Sequence, residues 1–205
     1  MPQDNPVFKQ TYQHYLRQLE QLELPLISKR LNIEHENGLL HIPFFNRIYR
    51  VSGEGILDPS NKKAPFDVCI ILFKYLMMCP SQPPSDRTWA SYKDFKDAAP
   101  LISTFRNRAE GAVASHFSGR LTDLESACRH MQAQVPEIEL SYSLTMQFQA
   151  LPTIPLLLLF NDADEEFPAQ SSILFERRVA QYLDMESLAI LGLLFAGYLK
   201  KAADP

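Results

Sequence analysis

Between residues 138 and 150 apolar and polar residues alternate without a break. Ile138, Leu140, Tyr142, Leu144, Met146, Phe148 and Ala150 fall on one face, and Glu139, Ser141, Ser143, Thr145, Gln147 and Gln149 on the other. A period of two predicts a strand with one wet face, as in an antiparallel sheet. Leu151-Pro152-Thr153 predicts a turn, and the unbroken apolar run at 154–160 predicts a central strand covered on both faces. An acidic segment, Asn161-Asp162-Ala163-Asp164-Glu165-Glu166-Phe167-Pro168, separates it from a short further strand at 172–175.

Elsewhere the period is helical. Asn5-Pro6 reads as a cap followed by proline at the first helical position. Phe8, Tyr12, Tyr15, Leu16, Leu19 and Leu22 then form one apolar stripe, read as core packing, until Pro25 breaks or kinks the helix. A short second helix is expected at 26–31. Asn37-Gly38 marks a turn before a small hairpin or meander, in which Leu40, Ile42 and Phe44 alternate and 47–51 is β-like. Pro43 predicts that its strand lies at a sheet edge. Residues 52–64 read as a surface loop. The helix at 65–78 has Lys74 as the one charge in its apolar body, so it is buried on most sides. Pro80, Pro83 and Pro84 end it and open an irregular connection to Trp89. A short helical turn is expected at 91–97 and a helix at 101–117, stopped by Ser118-Gly119. Thr122-Asp123-Leu124-Glu125 fits a capping box for a helix to about residue 134. Asp184 caps a last, almost wholly apolar helix, with Glu186 in its first turn and Lys200-Lys201 in its last.

Four or five strands, largely hairpin-linked, with helices before, between and after them define an α+β fold with a mainly antiparallel sheet. We expect one domain over residues 1–205. Its parts are helices at 5–32, sheet and core helix at 38–80, a helical middle at 89–134, and hairpin, acidic segment and final helix at 138–201. A chain of 205 residues is long enough for one sizeable core and short for two.

Composition removes several function classes. The formal charge of −4 argues against nucleic acid, whose phosphates need clustered basic charge. The 7 glycines form neither of the common phosphate-cradling motifs. No apolar run approaches the roughly 20 residues that span a bilayer, so no membrane partner is expected. The first ten residues are polar, unlike a secretory signal, and the three cysteines, Cys69, Cys79 and Cys128, are odd in number and outside C-x-x-C pairs. Both features predict a cytoplasmic protein.

Two constellations are candidate sites. Asp162, Asp164, Glu165 and Glu166 follow a central strand and offer oxygens to a hard cation or to an arginine-rich partner. EF-hand spacing is absent, and the competing reading is a solvated turn with Glu166 paired to a nearby arginine. Arg106 and Arg108, with Arg120, offer contact to an anion or a partner, but Arg106 and Arg108, two apart on a helix, do not face the same way, and the competing reading is structural pairing of one arginine with the acidic segment. The histidines lack H-E-x-x-H spacing, and Cys128 and His130 fall on different faces. No G-x-S-x-G nucleophile elbow occurs.

The order of segments is familiar. The chain resembles the bacterial and archaeal family known as domain of unknown function 3786. The resemblance rests on the helix Ile70-Ile71-Leu72-Phe73-Lys74-Tyr75-Leu76, on Trp89 with Tyr92 and Phe95, and on Phe105-Arg106-Asn107-Arg108. It continues through Pro152 ahead of Pro155-Leu156-Leu157-Leu158, then Asp164-Glu165-Glu166-Phe167-Pro168 with Leu174-Phe175, and Tyr182-Leu183. Some relatives carry a cysteine-rich iron–sulfur segment, which implies redox or corrinoid-linked metabolism. This chain has no four-cysteine run to hold such a cluster, so electron transfer would need a separate partner protein.

The leading expectation is an accessory protein that binds a small-molecule ligand or a partner protein. The alternative is a divalent-cation-dependent enzyme built on Asp164, Glu165 and Glu166. A purely structural subunit is a third reading. The sequence names no cofactor and fixes no oligomeric state.

Overall fold

The computed structural model describes residues 6–138 and 140–204. The expected Asn5 cap and Glu139 lie outside the described residues. The fold is α+β, with two four-stranded antiparallel sheets and helices around one hydrophobic core. Helix α1 (Pro6–Leu19) packs against α3 (Phe66–Met77), burying Tyr12, Leu16 and Leu19 of the expected stripe. Helix α2 (Leu24–Leu31) takes Pro25 into its first turn, where the missing N–H costs no hydrogen bond, so Pro25 starts this helix.

The first sheet is the meander β1 (Glu34–Glu36), β2 (Leu39–Phe44), β3 (Arg47–Ser52) and β4 (Gly55–Leu57), in chain order. Asn37 and Gly38 both take positive φ in the β1–β2 turn, as a tight hairpin requires. Strand β2 lies inside the sheet and not at its edge. It tolerates Pro43 because β1 reaches only as far as His41, leaving the strand locally unpaired on that side. The expected loop at 52–64 contains β4. Ile56 of β4 donates its N–H to the Tyr12 hydroxyl at 3.1 Å. A Cβ on Gly55 would lie 2.6 Å from that hydroxyl, at a φ of +140 that favours glycine.

The second sheet has the order β5 (Trp89–Ser91), β8 (Gln170–Glu176), β7 (Ile154–Asn161), β6 (Leu144–Leu151). Strand β7 is central and buried from Ile154 to Phe160, as the apolar run predicts. The long alternating strand is shorter than expected. Leu144 pairs with Phe160 near the end of β7, so the ladder starts there: Ser143 is held through side chains, donating its N–H to Asn161 Oδ1 at 3.1 Å and accepting the Asp162 N–H at 3.1 Å, and Ile138, Leu140 and Tyr142 are each 41% exposed. Strand β5 replaces the start of the helical turn expected at 91–97, and only Tyr92–Asp94 winds into a single 3-10 turn. Among the described residues the strands number eight, in two sheets of four, where four or five were expected, because β1, β4 and β5 have three residues each, too few for a readable period.

Helix α4 (Ile102–Phe105) continues through a π-helical turn at Arg106–Glu110 into α5 (Gly111–Phe117). Helix α6 (Leu121–His130) forms no capping box. Asp123 and Leu124 already donate to the Arg120 carbonyl, so winding begins before Thr122. The helix also ends at His130, short of residue 134. Helix α7 (Met185–Ala203) runs through the core against α3, α5, α6 and the π-turn. Asp184 caps it by accepting the Ser187 N–H at 2.8 Å, and also pairs with Lys74 Nζ at 2.9 Å. The two sheets meet where Phe45 donates its N–H to the Ala150 carbonyl at 3.0 Å. Phe45 and Phe148 both pack on Phe195 of α7 there.

Candidate functional site

The acidic segment folds as a self-bonded turn. Asp162 Oδ1 accepts the N–H groups of Gly119 at 2.7 Å and Ala163 at 2.8 Å. Asp164 Oδ1 accepts those of Glu166 at 2.8 Å and Phe167 at 2.7 Å, and these bonds hold its carboxyl below the usual range. Glu165 and Glu166 are exposed, and neither forms an ion pair among the described residues. The four carboxylates do not converge. Among the described residues no group of three or more His, Cys, Asp or Glu is placed to hold a metal ion. The expected pairing of Glu166 with an arginine is also not formed there. The thiols are scattered: Cys69 and Cys128 are buried, and burial pushes both up to about 12.

The arginines part company, as their spacing predicts. Arg108 lines a hollow with Asp67, Lys200 and the apolar residues Ile190, Leu193 and Leu194 of α7. Arg106 lines a cleft of about 400 Å³ on the other side of its helix, together with Lys93, Asn107, Glu110 and residues 169–172 of β8 and its approach.

This cleft follows from two irregularities. First, the helix widens. Gly111 donates its N–H to the Arg106 carbonyl, five residues back, and a Cβ at Gly111 would come within 3.1 Å of that oxygen. Arg106 and Glu110, four apart, share the face turned toward β8. Second, β5 covers only Leu174–Glu176 of β8. The next outward N–H, that of Ile173, is bonded at 3.0 Å by Glu110 Oε1. The Ser171 hydroxyl donates to the Glu110 carbonyl at 2.7 Å. The π-turn thus completes the edge that β5 leaves open, and the cleft forms beyond it.

Tyr92 and Phe105 line the inner wall, stacked at 4.4 Å with ring planes 10° apart. Tyr92 is anchored by donating its hydroxyl to the Met185 carbonyl at 2.8 Å. Burial pushes the Glu110 carboxyl above the usual range, while the Ile173 N–H and the charges of Arg106 and Lys93 pull the other way. Arg106 and Lys93 therefore lie near enough to act on Glu110, yet neither forms an ion pair with it among the described residues.

Of the charged candidates named from sequence, Arg106 alone reaches this cleft, joined by Tyr92, Phe105 and Asn107 from the segments that carry the family resemblance. Lys93 and Glu110 were missed. For Glu110 a signal existed: its position four after Arg106, immediately before Gly111, is the place where a helix can widen. For Lys93 there was none.

What the fold and cleft define is an α+β protein with a small polar cleft walled by two stacked aromatics. A family model, domain of unknown function (DUF3786), matches residues 23–198, and the chain belongs to that family. No curated protein and no solved structure matches it. No helix among the described residues is long and apolar enough to cross a membrane.

Proposed function

We propose that the protein binds a small anionic molecule in the cleft between the π-turn and β8. The observation that carries this reading is the convergence of Lys93 and Arg106, from separate elements, on one cleft of about 400 Å³. The chain as a whole is acidic, so a cleft with two cations and one carboxylate is a local exception. Arginine offers a planar fork of donors suited to a carboxylate or phosphate, and lysine a mobile point charge. Asn107 and Ser172 add neutral hydrogen-bonding groups to the lining. Clefts of this size suit small molecules rather than chains. The cleft contains no cysteine, so the redox or corrinoid setting implied by the family resemblance plays no part in this reading.

The test is thermal unfolding with a panel of inorganic phosphate, acetate, succinate and citrate. A ligand at about 100 times its Kd adds about 2.7 kcal/mol, and the midpoint rises by roughly 5–10 °C. Arg106→Ala and Lys93→Ala should abolish the rise, while Arg108→Ala, on the opposite side of the helix, should keep it. A panel without effect, or an equal loss in Arg108→Ala, defeats the proposal. Mg²⁺, Mn²⁺ and Ca²⁺ belong in the same panel. A stabilisation by one of them that Asp164→Ala and Glu165→Ala remove would favour the cation-dependent enzyme instead.

A further inference from the structure

We infer that the ligand of this cleft is a small zwitterion of the amino-acid type, its carboxylate on Lys93 and Arg106 and its ammonium on Glu110. This deepens the anion-binding reading and rests on it. The argument starts from what Glu110 does for the fold. It accepts the Ile173 N–H through Oε1, a task that needs an acceptor and no charge. Glutamine would perform it without placing a charge in a half-buried position. Oε2 has no hydrogen-bond donor from the protein among the described residues, although the side chain is fixed at its other oxygen.

Burial raises the Glu110 carboxyl, and the two cations lining the same cleft act against that rise while forming no ion pair with it among the described residues. The cleft therefore holds a positive and a negative pole side by side, both held on hydrogen-bonded backbone. A plain anion would meet Lys93 and Arg106 at the cost of facing Glu110. A plain cation would meet Glu110 at the cost of facing both basic residues. A molecule carrying carboxylate and ammonium a few bonds apart satisfies both poles at once, and like charges are excluded at each. The wall of Tyr92, Phe105 and Ile102 leaves an apolar surface for the remainder of such a molecule.

The experiment compares free L-amino acids with their deaminated acids, pair by pair: glutamate with glutarate, alanine with propionate, leucine with 4-methylpentanoate. Binding is read from amide chemical shifts of the wild-type protein, Glu110→Gln and Arg106→Ala. A charge-assisted hydrogen bond to Glu110 should make at least one amino acid bind about tenfold tighter than its partner acid. Glu110→Gln should remove that preference while still binding the acid, which also shows that the variant is folded. Arg106→Ala should weaken both members of the pair. If the acids bind as tightly as the amino acids, or if Glu110→Gln retains the preference, the inference fails and anion binding stands. If neither member of any pair shifts the cleft amides, both readings fail.

Discussion

Replacing Gly192 by alanine puts a methyl group where Phe105 already stands. Gly192 lies in the buried face of α7, and a Cβ there would be 2.3 Å from Phe105 Cε2, 2.8 Å from Cζ and 3.3 Å from Cδ2. Carbon atoms pack at about 3.5–4.0 Å, so the ring must retreat by roughly 1 Å. It has no room for that. Tyr92 is stacked against it at 4.4 Å, the Phe175 ring is 6.1 Å away, and Phe105 is 1% exposed. Overpacking of this kind costs about 1–3 kcal/mol. Alanine recovers about 1 kcal/mol of helix propensity, so Gly192→Ala should be destabilised by about 0–2 kcal/mol net. Gly197 supplies the control within the same helix. It is exposed, and a Cβ there meets nothing within 4 Å, so Gly197→Ala should gain about 0.5–1 kcal/mol. Urea unfolding of the two variants beside the wild type reads the difference as a shift in midpoint at constant slope. A Gly192→Ala protein as stable as Gly197→Ala would refute the packing assigned to Phe105. The same displacement should reach the cleft, because Phe105 and Tyr92 form its wall.

Two other consequences can be measured directly. Asp184→Ala removes the α7 cap and strands Lys74, and should cost about 1–2 kcal/mol in urea unfolding, whereas Asp184→Asn keeps the acceptor and should cost less than about 1 kcal/mol. Burial works against the Asp184 carboxylate, but the bonds from Lys74 and Ser187 outweigh it and lower its pKa below the unfolded value. Its contribution is present above the unfolded pKa and lost as pH falls through the folded one, so the wild-type and Asp184→Asn stabilities should converge in acid. Among the thiols, only half-buried Cys79 should react with a disulfide reagent in the native protein, and all three in denaturant; fast native labelling of Cys69 or Cys128 would contradict their burial.

Long periodic segments were legible in the sequence and short ones were not. The stripe of α1, the apolar body of α3, the central strand β7 and the Asp184 cap all follow from spacing alone. The alternation at 138–150 pointed to a strand, but the ladder begins only at Leu144, because a period reports which faces differ and not where a neighbour ends. Strands β1, β4 and β5 are fixed by tertiary pairing, with β5 recruited by β8. Of the charged groups of the cleft, only Arg106 was legible. The other two, Lys93 and Glu110, reach the cleft through an irregular helix turn and a strand too short to read. The acidic segment was conspicuous in sequence for a local reason: Asp162 and Asp164 bond the backbone of their own turn, a habit of aspartate in loops.

The pairing of β5 with β8 joins segments about eighty residues apart in the chain, and it is the pairing on which the cleft depends. The meander β1–β4, by contrast, closes within its own stretch of sequence. Loop closure makes distant contacts slow to form, so the meander and the β6–β7 hairpin can assemble while Lys93, Arg106 and Ser171 are still apart. The cleft is then completed only once segments distant in the chain have met. An occupant held at once by Lys93 and by the π-turn would act as a clasp on a contact that chain connectivity does little to maintain.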